Sequence, residues 1–275
     1  MIDAHMHMVL DGVNWKSAIR RHEAGTDIPW VRQTLARYQK QGFTWLRDGG
    51  DRWGVGAAAK ALAPQYGIVY QTPLAPLYCK GHYGGIIGIG FESLKEYAAL
   101  VGQKRAKGAD FVKIMISGLM DLNQYGVLTE EGLPLDMIRE MIHIAHEEGF
   151  AVMAHANGAR TVEAAAAAGV DSVEHGAYLD ADALAAMAEV GTIWVPTLST
   201  LAAPMGKGRF DDGVLQSILD SALENVSAFQ GLVAAGTDAG AWAVTHGTTL
   251  EYDLLSPLTD VDKGNAALIR RFTKP

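Results

Sequence analysis

The chain has 275 residues, 49% of them hydrophobic, 20% charged and 8% aromatic, which is enough apolar material for a large core and excludes a disordered chain. Lys+Arg 23 against Asp+Glu 31 gives a net charge of −8 with no dense basic run, so neither nucleic acid nor an anionic membrane is an expected partner. A single cysteine, Cys79, excludes an intramolecular disulfide framework and a cysteine-based zinc cluster, and it fits a reducing, cytoplasmic setting.

The chain opens Met1-Ile2-Asp3-Ala4-His5-Met6-His7, placing an acid and two histidines where a signal peptide needs a basic start and an apolar run. These residues instead predict a first strand over 2–7. Helix over 29–41, strand over 43–47, helix over 57–62 and strand over 67–71 follow. A long connection over 73–91 carries five glycines between Gly81 and Gly90. Then come helix 94–107, strand 111–117, helix 135–148 stopped by Gly149, strand 151–155, an alanine-rich helix 159–168 stopped by Gly169, and strand 172–175. Helix 181–188 and strand 192–196 precede a second long connection, 199–212, with Lys207 and Arg209 near its tip. Helix 213–228, strand 232–237 and helix 248–255 complete the alternation. The uncharged stretch 190–206 is broken by Gly, Pro and Thr and does not read as a membrane span.

Eight strand-helix units without an intervening linker predict an α/β chain closed into a single (β/α)8 TIM-type barrel domain over residues 1–275. An open, doubly wound sheet is the alternative.

Barrel enzymes gather their chemistry at the carboxyl ends of the strands. His5 and His7 lie on the first predicted strand, His155 and His175 end the fifth and sixth, and Asp238 follows the eighth in Gly236-Thr237-Asp238-Ala239-Gly240. A period of two puts Asp3, His5 and His7 on one face of the first strand and Ile2, Ala4, Met6 and Met8 on the other. Inward imidazoles and a carboxylate at one mouth suit a divalent metal. His143 and His146 fall on a helix, and His22 precedes one; these three read as solvated or half-buried.

Lys113 is an anomaly inside the apolar strand Phe111-Val112-Lys113-Ile114-Met115-Ile116. Either its stem packs in the strand while its head reaches water, or a buried, partly neutral amine adds carbon dioxide and the carbamate bridges two cations.

With these residues in this order, the chain resembles the amidohydrolase superfamily, metal-dependent hydrolases on a distorted (β/α)8 barrel. The resemblance rests on His5-x-His7, on Lys113 in Val112-Lys113-Ile114-Met115, on His155 in Ala154-His155-Ala156-Asn157-Gly158, on His175 in Glu174-His175-Gly176, and on Asp238. The phrasing around Lys113 and His175, with Pro196-Thr197-Leu198, is similar to the branch of imidazolonepropionase-like enzymes and binuclear dipeptidases cleaving before Pro, Arg or Lys. It implies that His5, His7 and Asp238 hold one cation, that His155 and His175 hold a second, and that carboxylated Lys113 bridges them, zinc being the default ion. It further implies attack of a metal-bridging hydroxide on an amide, peptide-like or cyclic-amide carbonyl, with Asp238 as proton shuttle. Asp3 would support the histidines from behind. A mononuclear deaminase, a lactonase or esterase, and a catalytically idle ligand-binding barrel are the competing readings.

Candidate substrate contacts are His82, Tyr83, Arg52, Arg160, Tyr178 and His246, all following strands. His82 resembles a histidine of dipeptidase relatives in a Gly-rich loop, although Tyr83 stands where a glycine is usual. Arg52, Lys207 and Arg209 are candidate partners for a substrate carboxylate, as in a dipeptide or N-acyl amino acid. Only four residues precede His5 and 37 follow Asp238, so the expectation is a barrel without the small β-sandwich most relatives carry, and self-association into a homo-oligomer.

Overall fold

The computed structural model describes residues 1–273. Its strands are β1 (Ile2–Met6), β2 (Trp45–Asp48), β3 (Val69–Gln71), β4 (Leu77–Cys79), β5 (Ile89–Phe91), β6 (Val112–Met115), β7 (Val152–Ala156), β8 (Ser172–His175), β9 (Ile193–Val195) and β10 (Leu232–Val233). Every strand pairing is parallel, in the orders β1-β2-β3 and β10-β9-β8-β7-β6-β4-β5. The eight expected strands all form. β4 and β5 are additions, drawn from the long connection over 73–91. After β3 the backbone turns through Leu74, at φ 60°, and β4 takes over the pairing to β6.

Two sets of backbone hydrogen bonds join the sheets into a ring. Ala4 N–H donates to Ala235 O at 2.8 Å, Asp238 N–H to His5 O at 2.6 Å, and His7 N–H to Ala239 O at 2.8 Å. On the far side Asp110 N–H donates to Thr72 O at 3.0 Å.

The helices are α1 (Trp15–Arg20), α2 (Ile28–Lys40), α3 (Val55–Leu62), α4 (Leu94–Ala106), α5 (Leu135–Glu147), α6 (Ala159–Ala167), α7 (Ala181–Val190), α8 (Ser199–Ala202), α9 (Asp212–Ala228), α10 (Leu250–Leu255) and α11 (Val261–Phe272). Side-chain caps start several of them, with Asn14, Asp27, Ser93, Asp180, Asp211 and Asp260 each accepting from a first-turn N–H. α1, α8 and α11 were not legible in the apolar periodicity; α1 and α8 are six and four residues long. Among the described residues no helix is long and apolar enough to cross a membrane.

The ring has an apolar end and a polar end. Ile2, Ala4, Trp45, Phe111, Met153 and Ala234 form one cluster with Leu268 and Phe272 of α11. Residues from opposite strands meet this way only inside the ring, so α11 plugs its lower mouth. Above this floor lie Arg47, Lys113, Glu174 and His5, all buried.

β1 departs from the expected alternation. Its register with β2 shifts between Asp3 and Met6, and the irregularity resets which face each side chain takes. Ile2 and Ala4 face the interior cluster, while Met6 and Met8 pack outside against Val31, Leu35 and Tyr38 of α2. His5 and His7 point to the interior, but Asp3 does not share their face: it accepts from Tyr38 Oη at 3.0 Å and Thr237 Oγ1 at 2.6 Å.

α11 can lie against β10 because position 264 has no side chain. A Cβ there would fall 1.7 Å from Val233 O, and backbone cannot yield as a side-chain tip can. Gly264→Ala is therefore expected to destabilise the fold by about 1–3 kcal/mol. Denaturant unfolding checks this, and an unchanged midpoint would contradict the close packing of α11.

Candidate metal centre

Six side chains converge on the polar end of the ring. His5 lies in β1, Lys113 in β6 and His155 in β7, His175 ends β8, and His7 and Asp238 follow β1 and β10. Register explains part of this: Met115 pairs with His155 and Ala156 with His175, so the two later histidines sit side by side, ring centroids 4.6 Å apart. His5 Nε2 is 3.3 Å from His7 Nε2, 3.0 Å from Lys113 Nζ and 3.6 Å from Asp238 Oδ1. His7 Nε2 is 3.3 Å from the same Asp238 oxygen. Donor atoms of His5, His175 and Asp238 all lie within 4.8 Å of one another. The structure thus brings together all six residues that the sequence singled out.

The backbone is bent to achieve this. His175, Asp238 and Thr197 have φ of 67°, 55° and 52°, a left-handed conformation costing on the order of 1–3 kcal/mol for such residues. Trp194 Nε1 holds His175 O at 2.9 Å, and Asp238 N–H is tied to β1. The room His7 occupies also depends on a missing side chain, because a Cβ on Gly49 would meet His7 Cε1 at 2.1 Å.

Three of the imidazoles commit one nitrogen to the protein and keep the other for the centre. His5 Nδ1 donates to Glu174 Oε2 at 2.8 Å, His175 Nδ1 pairs with Thr197 Oγ1 at 2.7 Å, and His155 Nε2 donates to Gly118 O at 3.1 Å. Such partners fix tautomer and ring orientation for metal ligands. Burial pushes His5 and His155 well below the usual imidazole range and His175 down to about 4, and it lowers His7, with the Lys113 charge adding to the effect. All four are therefore neutral at pH 7, the state a cation requires. Burial also lowers Lys113, to about 8. For Asp238 burial acts upward, but His7, His175 and Lys113 outweigh it and hold the carboxyl below its usual range. Four neutral imidazoles, one carboxylate and one readily deprotonated amine suit divalent cations of the zinc type.

Glu174 and Arg47 were missed by sequence reading. Glu174 accepts from His5, from Arg47 Nη2 at 2.8 Å and from Ser172 Oγ at 2.5 Å, while Arg47 Nε reaches Ala4 O at 2.6 Å. The signal was available: both are charges inside predicted strands, as Lys113 is. Thr197 and Asn157 were visible only as neighbours of motif residues.

A cavity of about 250 Å³ ends on His7, Lys113, His155, His175 and Asp238. Of the expected substrate contacts Tyr83 and Arg209 line it, the Tyr83 ring 4.9 Å from that of His155. His82 and Arg160 line a separate groove with Glu130. Arg52 donates to Gly85 O and Gly88 O and so braces the Gly-rich loop. Tyr178 packs on Tyr125 with its hydroxyl buried and unpartnered. His246 is buried, bonded to Leu10 O and to Tyr38 Oη, and belongs with Asp3 to a support behind β1. His22, expected to be solvated or half-buried, is buried.

Arg47 and Glu174 are both fully buried, so removing one leaves the other as an uncompensated charge. Arg47→Met is expected to cost about 3–5 kcal/mol, and Arg47→Met with Glu174→Gln to recover part of it. Denaturant unfolding of the four proteins of this cycle checks the coupling, which strictly additive losses would refute.

Comparison with known proteins agrees with the fold. The amidohydrolase family profile matches residues 1–259. Ochratoxinase of Aspergillus niger is 26% identical over 276 residues, covering 85% of this chain and 55% of that protein. An uncharacterized protein of Mycobacterium tuberculosis is 31% identical over 168 residues, 57% of this chain and 44% of that one. The chain spans about half the length of these curated relatives. Among solved structures, a Xaa-Pro dipeptidase with methionine in its active site superimposes with a TM-score of 0.77 at 22% identity, covering 100% of this chain and 76% of the other. The A. niger ochratoxinase structure gives 0.75 at 21% identity, covering 97% and 68%. This chain belongs to the amidohydrolase family.

Proposed function

We propose that the protein hydrolyses a carbon-nitrogen bond of amide type in a small molecule. The observation that carries this reading is the convergence of His5, His7, His155, His175, Lys113 and Asp238 at one end of the barrel, all but His5 bordering one cavity. Relatives described as ochratoxinase and Xaa-Pro dipeptidase support it.

His5, His7 and Asp238 would hold one divalent cation, His155 and His175 a second, and a carboxylated Lys113 would lie between them. Bound cations of this kind polarise a carbonyl and make a water nucleophile available at neutral pH. Asp238 is ionised and borders the cavity, so it is placed to take a proton from the attacking water. Water oxygen bonds to the carbonyl carbon, Asp238 passes the proton to the departing nitrogen, and the C–N bond breaks to give an acid and an amine. Glu174 and Thr197 keep His5 and His175 oriented throughout. Lys113 is only 1% exposed and borders the closed end of the cavity, so its head does not stand in bulk water. Burial shifts the amine towards its neutral form, the form that adds carbon dioxide.

A second reading has one observation in its favour: His5, His175 and Asp238 alone form a triad compact enough for a single ion. A mononuclear deaminase or lactonase would then leave Lys113 as an ordinary amine.

Asp238→Asn is expected to lower kcat on amide substrates by ~10²- to 10⁴-fold while most bound metal is kept, as read by turnover assay and elemental analysis of the same sample. Undiminished activity would remove Asp238 from the proton path. Reconstitution in the presence of bicarbonate should give about two cations per chain, and Lys113→Ala should bind fewer. Near one cation per chain, with or without bicarbonate, favours the mononuclear site.

A further inference from the structure

The cavity above the metal-ligating residues has walls that fit one kind of amide. Among the described residues ten large hydrophobic side chains are conspicuously exposed, and four of them line this one cavity: Val13 at 72%, Trp15 at 44%, Leu119 at 38% and Ile86 at 36%. Scattered exposed apolar residues need no explanation, but several at the mouth of one cavity mark a ligand surface. On another wall Arg209 lies 4.9 Å from the Trp242 ring and 5.2 Å from the Phe210 ring. Among the described residues the Arg209 guanidinium has no carboxylate or carbonyl partner. Two aromatic rings therefore hold an exposed cation at the mouth of the cavity, its hydrogen-bond donors facing solvent and not a protein acceptor.

Arg52 and Lys207, the other cations considered for a substrate carboxylate, are not on this wall. Arg52 is occupied by the Gly-rich loop, and Lys207 does not line the cavity. The charge pattern is one-sided in a second respect. Among the described residues, the one carboxylate lining the cavity is Asp238, which the metal site already uses. A substrate ammonium would be buried there beside imidazoles and Lys113 with no free anion to pair it, which is costly.

Building on the amide-hydrolase reading, we propose that this cavity selects N-acyl amino acids over free dipeptides: Arg209 takes the carboxylate, and an uncharged apolar acyl group lies against Trp15, Val13 and Ile86. Arg209 is on this account a specificity residue, set in the connection between α8 and α9 and outside the metal centre.

The test uses three compounds: N-(4-methylpentanoyl)-L-phenylalanine, its carboxamide, and L-leucyl-L-phenylalanine, which adds only the α-ammonium. Binding is followed by tryptophan fluorescence in metal-loaded Asp238→Asn protein, and turnover in the metal-loaded native protein. The N-acyl acid is expected to bind about 10-fold or more tightly than either alternative, the scale of one charge-assisted hydrogen bond. Adding Arg209→Gln should abolish the preference over the carboxamide and keep the preference over the dipeptide. Equal binding of acid and carboxamide, a dipeptide bound as tightly as its des-amino analogue, or an Arg209→Gln effect of the same size on all three compounds would overturn the proposal. The expected binding order without any hydrolysis would uphold this recognition and overturn the amide-hydrolase reading alone.

Discussion

The arrangement of the site depends on one buried carboxylate. Glu174 takes a hydrogen bond from His5 on β1, an ion pair from Arg47 on β2 and a short bond from Ser172 two residues earlier on β8. It thereby spans the ring interior and joins the first two strands to a strand on the opposite side. Burying such a charge is unfavourable by several kcal/mol unless its oxygens are filled. Here they are filled by groups that the site needs held still. With Glu174 as acceptor, the His5 proton sits on Nδ1 and the Nε2 lone pair faces Lys113 and His7.

Burial also sets the chemistry above Glu174. Imidazoles close to one another and to a lysine would repel if protonated, and desolvation removes that state first. The same effect makes Lys113 a better nucleophile towards carbon dioxide than an exposed lysine. Only Asp238 is drawn the other way, because neighbouring nitrogen groups favour its anion more than burial disfavours it. One low-dielectric pocket thus yields neutral donors and one ionised carboxylate.

Much of this was legible in the sequence, for a physical reason. Barrel strands are short and nearly all apolar, so a histidine or lysine within one stands out, and the fold then dictates that such residues meet at the carboxyl ends. That logic located the six converging side chains and would have located Arg47 and Glu174 had it been applied to them. It failed where local geometry departs from the ideal repeat. The irregularity in β1 separates Asp3 from His5 and His7, although strict alternation puts the three together. The turn at Leu74 lets β4 replace β3 beside β6, which no propensity signals. The substrate contacts were least legible: following a strand says that a residue is near the mouth, not which way its loop carries it. His82 and Arg160 went to a neighbouring groove and Arg52 to bracing a loop, whereas Trp15, from an unanticipated helix, came to the cavity.

The two ends of the ring therefore obey different constraints. At the lower end, Phe272 and Leu268 of α11 fill the interior with Phe111 and Trp45, and Arg47 lies with its guanidinium 4.4 Å from the Phe272 ring. Arg47 is consequently shared between a hydrophobic plug and a polar layer, coupling the packing of α11 to the orientation of His5 through Glu174. At the upper end, the left-handed residues His175 and Asp238 are tied through their backbones to Trp194 of β9 and His5 of β1, so strain is stored next to the donors and balanced lower down. A change at the base of the barrel, far from the cavity, can then reach the converging histidines along a defined route: α11 to Arg47, Arg47 to Glu174, and Glu174 to the ring of His5.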